Sequence, residues 1–252
     1  MRYALLGDIH ANLPALKAVL ADVATLGATP LHLGDLVGYA PWPNEVVALV
    51  AESRIAGVSG NYDSTVATRY KHCGCKYEDP HQEALSHLSF AWTLEHTTEE
   101  TKRFLGALPF RLDIKPLGSH VSGPKLILVH GTPLNNLTYW TEDRSDDFCL
   151  KMAGEAGATA GDVIAFGHTH LPWHRVVDGV HFVNAGSVGR PKDGDWRSCY
   201  ALLAMDGVDV SLEFRRVKYD VNEAMRGIRA STLPHEFADY LQSGGRTTAT
   251  PV

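Results

Sequence analysis

The sequence predicts an α/β fold, and three observations support that prediction. First, short apolar runs typical of buried strands recur along the chain, at residues 3–6, 31–33, 55–58, 126–129 and 163–166. Second, apolar residues at helical spacing separate the first three runs, as in parallel strands joined by crossover helices. Third, the pairs Asp178-Gly179 and Asp206-Gly207 lie between strand-like runs and predict hairpins, so the C-terminal half is expected to be antiparallel at its edge.

Two helices are predicted in the first third of the chain. Asn12 is suited to cap the first of them, with Pro14 in its first turn and Gly27 at its end. Its apolar residues recur at helical spacing and are Leu16, Val19, Leu20 and Val23. The second helix is expected to open at Pro43-Asn44-Glu45, with its valines turned toward the sheet.

Residues 64–110 show helical patterns alone and predict an inserted helical pair. The first helix carries an apolar stripe of Ala84, Leu85, Leu88 and Trp92, and a Thr97 to Glu100 capping box predicts the start of the second. The insertion either overhangs the functional site and selects substrates or covers a face of the sheet. We interpret residues 1–243 as a single domain and expect a disordered tail at 244–252.

The remaining elements follow from the same patterns. Antiparallel strands are predicted at about 112–115 and 125–130, a helix at 146–156, and two closing helices at 221–230 and 235–242.

Composition restricts the class of protein. The chain has 252 residues, 44% of them hydrophobic, and a formal charge of -6, which provides no general attraction to nucleic acid or anionic membranes. Its four cysteines lack the spacing of a disulfide framework, which suits a reducing compartment. Asp8 interrupts the first apolar run before a signal peptide could form, and no run is long enough to span a bilayer. We therefore expect a cytoplasmic protein without membrane or duplex nucleic-acid partners.

Each apolar run is followed at once by polar residues that can bind metal. The clusters are Asp8-Ile9-His10, Gly34-Asp35, Gly60-Asn61-Tyr62-Asp63, His130-Gly131 and Gly167-His168-Thr169-His170. Open α/β sheets bind ligands where their strands end, so these side chains are expected to meet there and form a dinuclear metal site. Asp8 and His10, two residues apart in extended backbone, are expected to point the same way. A single buried Asp or His is more often structural, but five such clusters in order favour a metal site.

This five-part pattern resembles that of the calcineurin-like metallophosphoesterase superfamily, and in particular its small bacterial and archaeal phosphodiesterase-like members. The resemblance covers about residues 3–190. It implies a four-layer α-β-β-α sandwich and two divalent metal ions, with Mn favoured and Fe, Zn or Ni as alternatives. It assigns Asp8, His10 and His170 to one metal. It assigns Asn61, His130 and His168 to the second, with Asp35 bridging both.

The activity that the resemblance implies is hydrolysis of a phosphodiester or phosphomonoester bond by a hydroxide that bridges the metals. The expected substrate is a small phosphate ester or nucleotide. Two alternatives belong to other classes: a scaffold that retains the fold as a binding surface, and a nuclease. All seven ligand positions retain coordinating side chains, which argues against the scaffold, and the acidic balance argues against the nuclease.

The sequence departs from the superfamily pattern at two places. Tyr62 stands where a histidine usually protonates the leaving oxygen, and it is either a hydrogen-bond donor or a packed spacer. His72 or His81 of the insertion is an alternative proton donor. Tyr39 follows Gly38 where an arginine clamps phosphate in the related protein phosphatases, so protein phosphatase activity is not expected.

Further candidates follow from the neighbourhood of these motifs. Asn61, Tyr62 and Asp63 together are the candidate catalytic cluster. Asn12 and Arg190 are candidates for binding substrate, although Asn12 is better explained as a helix cap and Arg190 also as a surface ion pair.

Overall fold

The computed structural model describes residues 1–75, 79–115, 123–206 and 209–246. The strands are β1 (Arg2–Leu6), β2 (Thr29–His32), β3 (Ala56–Gly57), β4 (Leu112–Ile114), β5 (Leu126–Leu128), β6 (Val163–Phe166), β7 (Trp173–Val177), β8 (Val180–Asn184), β9 (Ser198–Asp206) and β10 (Asp209–Val217). The helices are α1 (Leu13–Thr25), α2 (Pro43–Glu52), α3 (Asn61–Ala67), α4 (Pro80–His96), α5 (Glu99–Ala107), α6 (Asp146–Ala156), α7 (Val221–Ala230) and α8 (Glu236–Ser243).

The strands form two five-stranded sheets that pack face to face. One sheet has the order β10-β9-β1-β2-β3 and the other the order β4-β5-β6-β8-β7. In β1, Tyr3 and Leu5 face the core between the sheets, whereas Ala4 and Leu6 face the core under the helices. Both faces of the strand are thus buried, which is why it forms a continuous apolar run rather than an alternating one. The predicted four-layer α-β-β-α sandwich is confirmed.

In the parallel part of each sheet, the carboxyl ends of the strands lie at the same edge. β1 pairs with β2 and β2 with β3 in parallel, joined through α1 and α2, and β5, β6 and β8 are parallel in the second sheet. A backbone hydrogen bond from Asp8 N to Gly34 O (3.3 Å) holds the turns after β1 and β2 together. The loops that follow these strands therefore form one continuous surface, which carries the predicted clusters.

The predicted hairpins are present as antiparallel pairs. β7 pairs with β8, and the turn residues Asp178 and Gly179 have φ values of 47° and 77°, as a tight two-residue turn requires. β9 pairs with β10 in the same manner, while Gly207 lies outside the described residues. The predicted pairing of residues 112–115 with 125–130 corresponds to antiparallel β4 and β5.

The insertion differs from its prediction in two respects. Leu88 is 56% exposed, because α4 instead turns Ser86, Ser89 and Thr93 inward together with Leu85 and Phe90. These small polar side chains line the inner face of α4, so a prediction from hydrophobicity alone assigns the wrong face of this helix to the core. The second helix is capped by Thr98, whose Oγ1 accepts a hydrogen bond from Thr101 N (3.2 Å).

The structure describes only the first three residues of the predicted tail. Among the predicted tail residues, 244–246 are described and Gly244 O accepts a hydrogen bond from Gly194 N (2.9 Å), while 247–252 lie outside the described residues. In the part of the chain that the structure covers, no helix combines the length and apolar character needed to cross a bilayer.

His32 is a buried imidazole whose titration should destabilise the fold in acid. Neither ring nitrogen has a hydrogen-bond partner among the described residues, and burial lowers its pKa to about 4. The unfolded chain takes up a proton here below about pH 6.5, whereas the folded chain does so only near pH 4, so the free energy of unfolding should fall through that window. His32→Leu should raise the free energy of unfolding by about 1–2 kcal/mol at pH 7 and flatten its decline in acid.

Urea titrations of the wild type and of His32→Leu at pH 7 and pH 5 measure the free energy of unfolding of each. All other histidines are the same in the two proteins, so the comparison isolates His32. An equally steep decline in both would contradict the assignment.

Candidate metal centre

Five of the seven candidate ligands lie in turns with left-handed backbone rather than in strands. β1 ends at Leu6, so the expectation that Asp8 and His10 align through extended backbone is wrong. Asp8 and His10 have φ values of 50° and 48°, and Asp35, His168 and His170 have values of 52°, 67° and 63°. Left-handed backbone costs a non-glycine residue roughly 1–2 kcal/mol, and such strain concentrates at functional sites. The turns aim these side chains at a common point.

The first ligand group consists of Asp8, His10 and His170. Their ligand atoms lie within 4.8 Å of one another and all three residues are buried. The Nε2 atoms of His10 and His170 are 3.1 Å apart, and Asp8 Oδ1 lies 3.4 Å from His170 Nε2. The backbone N–H of His168 donates to Asp8 Oδ2 (2.9 Å), which orients the carboxylate.

The second ligand group consists of Asp35, His130 and His168, with Asn61 beside it. Ligand atoms of the three residues again lie within 4.8 Å of one another. Asn61 Oδ1 lies 3.0 Å from His130 Nε2. His168 Nε2 is buried without a hydrogen-bond partner among the described residues.

Asp35 lies between the two groups. Its Oδ1 accepts a hydrogen bond from Tyr62 N (2.9 Å). Its Oδ2 lies 3.8 Å from His10 Nε2 and 3.6 Å from His130 Nε2, and so faces both groups. Gly60 packs directly against Asp35, where any Cβ would collide with its backbone and carboxylate. Glycine is therefore required at position 60 for the close approach of these two loops.

The tautomers of the histidines leave acceptor atoms facing each other. The Nδ1 atoms of His10, His130 and His170 lie within 3.0 Å of the carbonyl oxygens of Val37, Leu33 and Arg190, respectively, so these nitrogens carry the protons. Lone pairs then meet between the Nε2 atoms of His10 and His170, and between His130 Nε2 and the Asn61 oxygen. Such acceptor contacts are repulsive unless a cation lies between them. The residues present therefore fit divalent metal ions with mixed nitrogen and oxygen ligands.

Burial shifts the titration of these ligands. It raises the pKa of Asp8 to about 7 and, together with the charge of Asp63, raises that of Asp35 well above its usual range. Burial also lowers the pKa values of His10, His168 and His170 well below the ordinary histidine value. The imidazoles are thus held neutral at pH 7, which is the form that coordinates metal.

Two cysteines orient the Asn61 amide. Asn61 Nδ2 donates to Cys73 O (3.1 Å) and to Cys75 Sγ (3.3 Å), which turns Oδ1 toward His130. A hydrogen bond from Cys75 lowers the pKa of the Cys73 thiol to about 6. The Cys73 carbonyl and the Cys75 thiol thus position Asn61 from the start of the insertion, a role that the sequence spacing of the cysteines did not indicate.

Tyr62 and Asp63 point away from the point where the ligands converge. The Tyr62 hydroxyl donates to Ser89 Oγ (3.3 Å), and its ring packs edge-on against His10 at 5.6 Å. The Asp63 carboxylate accepts hydrogen bonds from Leu36 N and Gly60 N, both 2.9 Å, and joins α3 to the Asp35 loop.

The other candidates occupy several environments. Asn12 Oδ1 accepts a hydrogen bond from Ala15 N (3.2 Å), and its Nδ2 donates to Gly189 O (2.9 Å), so its side chain caps α1 and holds the 189 loop. His72 packs against Tyr70 near the surface, and the Nε2 atom of exposed His81 lies 3.5 Å from Glu236 Oε1.

Three side chains near the site had no part in the predicted constellation. Tyr39 packs edge-on against His10 at 4.9 Å, and Tyr139 stacks on His168 at 4.5 Å. Lys192 is partly buried, and its charge acts on the ligands of both groups. The one sequence signal for Lys192 is its position directly after Arg190-Pro191, in the loop that follows β8.

The fold and the two ligand groups define an α/β protein built to hold divalent metal where its strands end. A sequence profile of the calcineurin-like phosphoesterase superfamily domain matches residues 1–207. The chain belongs to the calcineurin-like phosphoesterase superfamily. The family and the ligand groups together support a metal-dependent phosphoesterase.

Individual relatives match nearly the whole chain. Uncharacterized protein MJ0912 of Methanocaldococcus jannaschii is 30% identical over 259 residues, which cover 96% of this chain and 97% of that protein. The crystal structure of a metallophosphoesterase from Sphaerobacter thermophilus is 26% identical with a TM-score of 0.76 and covers 97% of this chain and 100% of its own. The fold is shared by hypothetical protein PH1004 from Pyrococcus horikoshii OT3, which is 23% identical with a TM-score of 0.78. The match covers 98% of this chain and 99% of that chain.

Proposed function

We propose that this chain is a two-metal phosphoesterase that hydrolyses a phosphodiester or phosphomonoester bond of a small substrate, with Mn as its preferred metal. The observation that carries the proposal is the position of Asp35 Oδ2, which faces both ligand groups, 3.8 Å from His10 Nε2 and 3.6 Å from His130 Nε2. A carboxylate shared by two cations keeps them a few ångströms apart. The acceptor contacts at 3.0 Å and 3.1 Å support the proposal of one cation in each group.

The bound metals would supply Lewis-acid charge and lower the pKa of a water molecule between them toward neutrality. Asp8, His10 and His170 would hold one metal, and Asn61, His130 and His168 the other, with Asp35 shared. The carbonyl oxygens of Val37, Leu33 and Arg190 orient three of the imidazoles through their Nδ1 protons. These contacts prepare the ligands before substrate arrives.

The remaining catalytic candidates support this arrangement. Asp63 ties the Asp35 loop to α3, and Tyr62 fills the space beside His10. In this proposal Tyr62 acts through packing, because its hydroxyl is hydrogen-bonded to α4. Arg190 and Lys192 provide positive charge for the substrate, whereas Asn12 keeps the loop that carries Arg190 in place.

Metal removal provides the direct test. We expect activity toward nitrophenyl phosphate esters to disappear after dialysis against a chelator and to return with Mn. At a 100-fold excess over its dissociation constant, a metal bound only by the folded state stabilises it by about 2.7 kcal/mol. For a chain of this size that corresponds to a rise in melting temperature of roughly 5–10 °C. Thermal melts and elemental analysis of the same samples measure the effect.

His170→Ala should remove both the activity and most of the thermal shift. His174→Ala is the matched control, because His174 lies on β7, is bonded to His181 at 3.1 Å and belongs to neither ligand group. Activity that survives complete metal removal would overturn the proposal.

A further inference from the structure

A small pocket adjoins the first ligand group on the side of α4 and α8. It encloses about 210 Å³. Its walls come from the loop after β2, from α4, from the loop after β8 and from the α8 region. The lining residues are Tyr39, Gln82, Leu85, Ser86, Arg190, Lys192, Phe237, Tyr240 and Gly245. Tyr39 forms the boundary with the ligand group, since its ring also packs against His10. None of these lining residues is acidic, although two of them are cationic.

Arg190 is the more deeply buried of the two cations. It is 7% exposed, and its guanidinium lies 4.0 Å from the ring centre of Tyr39 and 5.0 Å from that of Tyr240. Across the described residues no carboxylate forms an ion pair with it, and its side chain makes no hydrogen bond. Its backbone carbonyl meanwhile accepts the Nδ1 proton of His170 (2.6 Å). The pocket and the ligand group are therefore connected through one residue.

Lys192 places a second positive charge at the same pocket. Within the described ranges it too has no ion-pair partner. Burial and the neighbouring charge of Arg190 lower its pKa to about 8. Burial raises the pKa values of Asp8 and Asp35 and the positive charge of Lys192 opposes that rise, so the charge that lines the pocket also acts on the ligand groups.

Arg190 is buried and Lys192 is partly buried, and neither forms an ion pair with a carboxylate of the described residues. Desolvation of an unpaired charge is costly, and contact with aromatic faces offsets only part of that cost. The excess of positive charge is local, because the chain as a whole carries a formal charge of -6. An anionic group in the pocket would form ion pairs with both Arg190 and Lys192. The planar guanidinium of an arginine can donate two parallel hydrogen bonds to phosphate oxygens.

The size of the pocket restricts what enters it. Sites that hold a whole drug-sized ligand have volumes of roughly 300–1,000 Å³, so 210 Å³ accommodates one group of a larger molecule. We propose that this pocket binds a second phosphate group of the substrate, distinct from the phosphate that is hydrolysed. The inference rests on the proposed function and narrows its substrates to small molecules that carry two phosphate groups.

The pocket is partly built outside the segment that defines the family. The family profile ends at residue 207, whereas Phe237, Tyr240 and Gly245 belong to α8 and the residues after it. Gly245 has a φ of 83° and packs against the Lys192 backbone, where a Cβ would come within 2.6 Å of its Cα. The C-terminal helix thereby holds the basic loop in place, and we assign it a part in substrate selection.

Calorimetry on the Mn-loaded protein tests the proposal with two nucleotides that differ by one phosphate. Thymidine 3′,5′-bisphosphate should bind on the order of tenfold to a hundredfold more tightly than thymidine 5′-phosphate, as expected for hydrogen bonds to charged groups. Lys192→Met and Arg190→Met should each remove most of that advantage, whereas Lys192→Arg should retain it. Lys151→Met on α6 is the matched control, because it removes the same charge from an exposed position far from the pocket in the fold.

The nitrophenyl ester of thymidine 5′-phosphate, with and without a 3′-phosphate, provides the parallel kinetic comparison. Equal affinities of the two nucleotides for the wild type, or an advantage that survives in both methionine variants, would refute the pocket assignment. If Arg190→Met fails to fold, Arg190→Lys and Lys192→Met decide the question. An affinity difference without turnover of either ester would leave the pocket assigned and would refute the proposed function instead.

Discussion

Asp35→Asn is expected to lower kcat/KM by about 10³-fold or more, because one substitution weakens both metal positions. Asp35 Oδ2 faces His10 and His130 from opposite groups, and a neutral amide there provides less charge to offset two dications. Loss of metal charge removes several kcal/mol of transition-state stabilisation, and each 1.36 kcal/mol is tenfold in rate. Elemental analysis should show fewer than two metal ions per chain in excess Mn.

The fold should survive this substitution. An asparagine Oδ1 can still accept the hydrogen bond from Tyr62 N that Asp35 now receives (2.9 Å). Asp162→Asn is a suitable control, since Asp162 is also a buried aspartate that accepts backbone hydrogen bonds. Its donors are Lys125 N and Thr159 N, in the loops before β5 and β6. We expect it to reduce stability without changing metal content. Full occupancy of two metals in Asp35→Asn would contradict the shared-ligand assignment.

Replacement of Tyr62 should change which leaving groups are accepted. The Tyr62 hydroxyl is hydrogen-bonded to α4 through Ser89 and is not directed at the ligands. The wild type should therefore turn over nitrophenyl esters faster than alkyl esters by roughly the 10²- to 10⁴-fold that a general acid contributes. Tyr62→His should reduce this gap, because an imidazole beside His10 transfers a proton more readily than a phenol.

Tyr62→Phe separates packing from proton transfer. Loss of the hydrogen bond to Ser89 should cost about 1 kcal/mol of stability, while the rates with both ester classes should change little. The quantity to compare is the ratio of aryl to alkyl turnover in wild type, Phe and His variants with the same metal content. A ratio that is unchanged in Tyr62→His would mean that another group protonates the leaving oxygen.

Local rules already predict much of the secondary structure. The helix predicted at 146–156 has these bounds in the structure, where Ser145 caps it and Gly157 ends it in left-handed conformation. The Asp178-Gly179 hairpin follows from the positive φ values that its turn demands. The helix and the hairpin both depend on contacts between residues close in the sequence. The amino-acid order specifies such contacts directly.

The sequence also indicated which residue types converge, but not how they converge. Any buried strand that is followed by Asp, Asn or His is a candidate for a metal site, and five such clusters in order predict one. The resemblance to the superfamily supplied the assignment of individual ligands. The left-handed turns at Asp8, His10, Asp35, His168 and His170 were not predictable from strand periodicity. Those turns are stabilised by contacts between distant segments, such as His168 N to Asp8 Oδ2 and His10 N to Asp35 O.

Tertiary structure alone decided the surroundings of the site. Ser86 and Ser89 of α4 face inward because Tyr39 and Tyr62 offer hydrogen-bonding hydroxyls there, which overrides the hydrophobic pattern of the helix. The pocket around Arg190 and Lys192 likewise combines four segments that lie far apart in the chain. The reason is physical: the amino-acid order determines local backbone preferences, whereas the environment of a buried charge depends on which distant segments pack against it.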